Sequence, residues 1–226
     1  KTLLEKSVSL HPESVVLLNE QYRMHESIMG YSSQVFYNSQ LHAHHAVARH
    51  LVFADDEPLA FIDTAGCSFD EKLDGTSTTN PDEATFLVTH LSALIQELES
   101  KETIVDFPSI AIVSPYKQQV QILKMLVEEN ELLMAHQDKI SVNTIDSFQG
   151  QERDIVYISL TRSNADGSIG FLADTRRMNV AMTRARKKLV VIGDSTTLSK
   201  AKFYADFITY AEKLNAYYSA WEFINV

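Results

Sequence analysis

The sequence predicts an α/β domain on a mostly parallel central sheet with helices on both faces, and three observations predict it. Apolar runs of strand length recur along the chain. Several lack the polar alternation of a half-exposed strand, as strands buried on both faces require. Segments with helical spacing of apolar residues separate most of them. That alternation is the signature of a parallel sheet with crossover helices, and it puts the expected binding site at the carboxyl ends of the strands. With 226 residues, 45% of them hydrophobic, the chain can bury a large core as one domain.

In chain order, Met24–Tyr37 reads as a helix and LAFID (Leu59–Asp63) as the first strand. The polar, turn-rich stretch Gly66–Asn80 reads as a surface loop. Asn80-Pro81-Asp82-Glu83 then opens a helix, with Asn as cap, Pro in the first turn and acids near the positive end. Phe86, Leu87, His90, Leu91, Leu94, Ile95 and Leu98 follow at helical spacing. SIAIVS (Ser109–Ser114) is a second strand. A helix from about Lys117 to Met134 follows it, with Val120, Leu123, Leu126 and Val127 on one face. ISVNTI (Ile140–Ile145) and DIVYISL (Asp154–Leu160) are strands on either side of a polar turn. Asp174 can cap a helix over about Thr175–Ala185, whose buried stripe is Met178, Ala181, Met182 and Ala185, leading into the strand KLVVIG (Lys188–Gly193). In the aromatic carboxyl-terminal stretch, the spacing of Phe203, Phe207, Tyr210 and Leu214 predicts a helix packed on the sheet rather than a stacking surface.

Composition narrows the function classes. A formal net charge of −10 argues against a protein that coats nucleic acid nonspecifically. It leaves room for one that grips phosphates locally, since screening acts within about 8–10 Å at physiological salt. No run approaches a membrane span, the first residues lack a signal peptide's apolar core, and Cys67 is the single cysteine. A cytoplasmic, intracellular protein with no membrane partner is expected. His42, His44, His45 and His50 lack a supporting cysteine or second cluster, so no metal site is expected there. The acids are scattered without the spacing of a two-metal nuclease.

None of the seven glycines is followed by lysine, so the loop G-x-x-x-x-G-K-[ST] that cradles a triphosphate is absent. Asp82-Glu83 superficially resembles a magnesium-holding pair, but helix capping accounts for it better. The chain alone is not expected to hydrolyse ATP.

Three stretches carry chemistry. RRMNVAMTRARKKLVVIGD (Arg176–Asp194) gathers four arginines and two lysines within thirteen residues with no acid among them, which calls for something anionic nearby. Arg184 projects near the helix end, where a guanidinium can contact phosphate bidentately or crown a solvated helix terminus. In Val142–Asn164, a polar turn offers Thr144 and Ser147 as phosphate-binding hydroxyls and Glu152 as an acceptor for a ribose hydroxyl. The same residues equally suit a turn that satisfies its own backbone. In LNEQYRMHESI (Leu18–Ile28), Tyr22 beside Arg23 offers a ring for a base and a cation for a phosphate, although taken alone an interfacial tyrosine and a surface arginine are the commoner case.

Together QYRMH, VSPYKQQ (Val113–Gln119), TIDSFQGQERDIVYIS and NVAMTRAR resemble, in order, the motifs of the carboxyl-terminal RecA-like motor domain of superfamily 1 DNA/RNA helicases. The nearest branch holds the nonsense-mediated-decay RNA helicase, senataxin and the immunoglobulin-switch-region-binding helicase. The resemblance implies a RecA-like three-layer sandwich spanning 1–226 as the second motor domain. It also implies that the P-loop domain lies upstream in the same polypeptide and holds most of ATP and Mg²⁺. It places Gln21, Tyr22, Gly150 and Glu152 at the nucleotide, with Tyr22 near the adenine and Glu152 at the ribose. Arg23 reaches the γ-phosphate, and Arg184 is the arginine finger. Ser114, Tyr116, Thr144 and Ser147 meet the backbone of single-stranded nucleic acid. The implied function is that of an ATP-dependent helicase or translocase. The alternative is a degenerate RecA-like binding module without turnover, against which the intact Arg23, Glu152 and Arg184 argue.

Overall fold

The computed structural model of the chain describes residues 3–74, 77–101, 104–148 and 151–224. Its first half runs α1 (Leu3–Leu10), β1 (Glu20–Gln21), α2 (Glu26–Phe36), β2 (His42–Ala43), β3 (Leu59–Asp63), β4 (Lys72–Asp74), β5 (Ser77–Thr79) and α3 (Pro81–Ser100). The second half runs β6 (Ile110–Ser114), α4 (Lys117–Glu129), α5 (Glu131–Ala135), β7 (Ile140–Thr144), β8 (Arg153–Ser159), α6 (Thr175–Met182) and β9 (Ala185–Gly193). It closes with α7 (Ser195–Leu198), α8 (Lys202–Lys213), β10 (Tyr217–Ser219) and α9 (Trp221–Ile224).

Strands β10, β3, β9, β8, β6 and β7 lie side by side in that order, and each neighbouring pair is parallel. Successive side chains on a strand point to opposite faces, so the sheet feeds two cores. Phe61, Val156, Ile158, Leu189 and Val191 pack with Ile28, Met178, Met182 and Phe207, the layer of α2, α6 and α8. Ala60, Ile62, Ile155, Tyr157, Val190 and Ile192 pack with Leu87, Leu91, Ile95 and Leu123, the layer of α3 and α4. Each fully buried large apolar side chain stabilises by about 1.5–3 kcal/mol. The result is the three-layer α/β sandwich with a parallel sheet that the sequence predicts.

The five apolar runs emerge as β3, β6, β7, β8 and β9, and Asn80 caps α3 by accepting from Glu83 N at 3.0 Å. Four details differ. The helix expected through Met134 breaks at Asn130, where the backbone is extended and the side chain accepts from Leu133 N at 3.1 Å to start α5. The stretch read as a loop holds the antiparallel pair β4 and β5. The helix capped by Asp174 stops at Met182, because Ala185 is drawn into β9 opposite Arg153. The aromatic stretch supplies a sixth strand, β10, beyond α8. In α8 itself, Tyr204 and Phe207 are buried, whereas Leu214 falls past the helix end and is 42% exposed.

Candidate nucleotide-facing site

The motif QYRMH is a turn built by its own first residue. The Gln21 side-chain oxygen accepts from Arg23 N at 2.7 Å and Met24 N at 2.8 Å, and its amide donates to Met24 O at 2.9 Å. Met24 is buried, and His25 caps α2 by accepting from Ser27 N. His25 N also donates to Arg186 O at 2.8 Å, which fastens the turn beside the start of β9. On the other flank, Arg153 N donates to Arg184 O at 3.0 Å, so β8 begins there too. Backbone pairing thus brings Arg23, Glu152 and Arg184 together, although 129 residues separate the first two in sequence.

The side chains form a charged cluster. Arg23 Nε donates to Glu152 Oε2 at 2.5 Å, and Arg23 also reaches Thr183 O at 3.4 Å. Arg186 Nε lies 3.9 Å from the other Glu152 oxygen. Arg184 Nε is buried with no hydrogen-bond partner. Burial, then the nearby Arg23 charge, pushes the Arg184 guanidinium below its ordinary pKa, while Glu152 pulls the other way. An unpaired guanidinium N–H in a half-buried place is costly unless an anion completes it. Arg186 is not among the residues the motifs single out. Its signal is the spacing in Arg184-Ala185-Arg186, since residues two apart along an extended segment share a side.

This cluster sits at the amino ends of β8 and β9, not at the carboxyl ends where the general rule for parallel sheets puts a site. The physical reason is local. The guanidinium carriers lie where α6 hands over to β9, so the donors that point outward are at the start of that strand. The neighbouring Tyr22 ring is 63% exposed, stacks on His44 with centroids 4.2 Å apart, and donates its hydroxyl to Glu20 at 3.0 Å. Gly150 lies outside the described residues.

Three of the other cations of Arg176–Lys188 find acids from elsewhere in the fold. Arg177 meets Asp146 at 2.6 Å, Lys187 meets Asp154 at 3.3 Å, and Lys188 meets Asp56 at 2.5 Å in a buried pair. Repulsion among these three is therefore relieved within the domain, whereas the buried Arg184 Nε keeps an unmet donor.

The residues expected to meet nucleic acid separate into two kinds. Thr144 and Ser147 lie at the carboxyl end of β7 and share a 2.6 Å hydrogen bond; Ser147 is exposed. Ser114 is buried, its hydroxyl engaged with Thr161 at 3.1 Å. Tyr116 is buried as well, its hydroxyl accepting from Arg162 and from Phe171 N, each at 3.3 Å. Gly170, at φ +52, covers this pair, and a Cβ there would stand 2.2 Å from Arg162 Nη1. In this conformation neither Ser114 nor Tyr116 offers a free polar atom to a ligand. The structure brings Arg23, Glu152 and Arg184 to one end of the sheet, and Thr144 and Ser147 to the other.

A cavity of about 630 Å³ lies apart from both groups, between α3 and the β10–α9 segment, lined by His90, Lys188, Phe86 and Phe223 among others. It is lined by neither Arg23 nor Arg184, so concavity alone does not mark the site. Among the described residues, no group of three or more His, Cys, Asp or Glu side chains could hold a metal ion, and no helix is long and apolar enough to cross a membrane.

The profile of an AAA domain family, AAA_12, matches residues 1–196, which include the whole cluster. The chain belongs to the AAA_12 family. Across its full length, this AAA_12 chain is 35% identical to the DNA-binding protein SMUBP-2 of Mesocricetus auratus, 23% of which it covers. It is 34% identical, over 95% of its length and 32% of the relative's, to an uncharacterized ATP-dependent helicase of Methanocaldococcus jannaschii. It is 36% identical, over 86% of its length and 9% of the relative's, to Helicase SEN1 of Saccharomyces cerevisiae. The AAA_12 chain thus spans less than a third of each of these relatives.

Proposed function

We propose that this AAA_12 chain is the second RecA-like domain of an ATP-dependent helicase or translocase on single-stranded nucleic acid, with Arg184 as its arginine finger. The observation that carries the reading is the convergence of Arg23 and Arg184 on one face with Arg184 Nε buried and unpaired. Guanidinium donors in this arrangement suit the oxygens of a triphosphate. They do not suit a cation, since among the described residues the acid that meets these arginines is Glu152, which they already engage. Magnesium therefore falls to the amino-terminal RecA-like domain expected in the same polypeptide, where it would neutralise charge on the triphosphate.

In this reading Arg184 is held by the start of β9 to face the terminal phosphate, and Arg23 joins it from the QYRMH turn. Tyr22 keeps one ring face on His44 and the other free for the base. The run Val15–Leu18 supports a partner domain: Val16 and Leu18 are each 83% exposed, only a few residues before Arg23. Four consecutive apolar residues left uncovered are a contact surface in want of a cover. The relatives' names, which include helicases and a DNA-binding protein, fit the same activity.

The test is Arg184→Ala in the full-length polypeptide. Nucleic-acid-stimulated ATPase should fall by about 10³–10⁵, the range for a lost arginine finger, while nucleic-acid affinity persists. Unchanged turnover would remove the assignment.

A further inference from the structure

We propose that the cavity between α3 and the β10–α9 segment binds a flat, uncharged aromatic molecule that carries an amide or carbonyl oxygen, with His90 donating a hydrogen bond to that oxygen. The volume of about 630 Å³ suits a small ligand. Ile62 of β3 contributes an apolar wall, and Phe86 and Phe223 meet edge to face, their centroids 6.4 Å apart at 68°. Aromatic walls set at such an angle favour a planar ring, which can lay its face on one and its edge on the other.

The polar groups narrow the class. His90 Nδ1 lies 2.8 Å from the hydroxyl of Tyr157, a fully buried residue. Among the described residues that hydroxyl has no other acceptor, so it donates to Nδ1 and the imidazole proton resides on Nε2. Nε2 has no partner among the described residues, which leaves the ring one free donor on the cavity wall. Burial pushes the His90 pKa down to about 4, so this donor is uncharged at neutral pH. Lys188, on the same wall, is already committed to Asp56 at 2.5 Å and to Glu57 O at 2.7 Å. Glu57 and Glu97 line the exposed side, and the Tyr218 hydroxyl that donates to Glu57 leaves its charge in place. A neutral donor inside and carboxylates outside oppose an anion and admit a neutral acceptor.

Fluorine NMR of the ligand, with the full-length protein, compares para-fluorobenzamide, para-fluorobenzoate and para-fluorotoluene. The amide should bind with a Kd of about 1 mM, the order expected of a fragment this small. The benzoate and the toluene should each bind about tenfold more weakly, the first for its charge and the second for want of an acceptor. Ala93→Trp, on the exposed side of α3 beside the cavity, should weaken the amide by about tenfold while the melting temperature holds. His90→Leu should abolish the preference for amide over toluene; if that variant does not fold, the wild-type preference tests the same hydrogen bond. Benzoate binding as tight as the amide's, equal affinity for toluene, or amide binding undiminished by Ala93→Trp would overturn the proposal. So would the absence of amide binding at millimolar concentration, the result expected if another segment of the polypeptide fills the cavity.

Discussion

At the scale of single residues, two buried titratable groups make opposite demands on pH. Burial pushes the Glu83 carboxyl up to about 8, although Ser159 and Thr161 N both donate to it and pull the other way. The folded form then binds more protons than the unfolded one between about 4.5 and about 8, and stability falls as pH rises through that window. His90 is the reverse. Burial lowers it to about 4, so its contribution is lost as pH falls from 6.5 toward 4. Between pH 6.5 and 8 only Glu83 of the two titrates. Glu83→Gln should therefore flatten the decline of the melting temperature across that interval and raise it at pH 8. A wild-type melting temperature that does not drop there relative to the variant would refute the assignment. Little of this was legible in the sequence. Asp82-Glu83 reads as two acids in a helix's first turn, and nothing local says that the second turns inward to hold Thr161. That residue is β-branched yet sits at φ +71, with Arg162 N donating to Leu160 O at 2.8 Å across it.

At the scale of elements, legibility followed burial on both faces. β3, β6, β8 and β9 announce themselves because nearly every side chain is apolar, and β7 because it continues the alternation with helices. β10 has three half-buried residues, and its place beside β3 is decided by where α8 ends rather than by its own composition. The break at Asn130 was hidden for a similar reason, since the apolar residues of α4 and α5 run on through it. In the site, the sequence motifs pointed to Arg23, Glu152 and Arg184, whereas the burial of Ser114 and Tyr116 depends on residues far along the chain. Two substitutions check the packing. Phe207→Ala, on the buried face of α8, should cost about 3–5 kcal/mol by denaturant titration. Leu214→Ala, just beyond that helix, should stay within about 0.5 kcal/mol. Asn80→Ala should exceed the usual cap loss of about 0.5–2 kcal/mol, because the Asn80 amide also donates to Phe69 O and Thr161 O.

At the scale of the whole molecule, the arginine cluster and the exposed hydroxyls lie at opposite ends of the parallel sheet. Ser147→Glu should weaken single-stranded nucleic-acid binding by on the order of tenfold through like-charge repulsion, leaving nucleotide affinity untouched. Ser114→Ala should lower the melting temperature without a binding defect of its own. A variant of Ser147 that alters nucleotide affinity as strongly would contradict the division between the two ends. Between them runs α6, eight residues from Thr175 to Met182, or about 12 Å. Arg177 stands in its first turn against Asp146, and Arg184 follows just after its last. The helix is in effect a gauge block. One extra residue within it would rotate whatever follows by about 100°, so the phase between the two ends is written in a count of amino acids, and an insertion that preserved it would have to come in nearly whole turns.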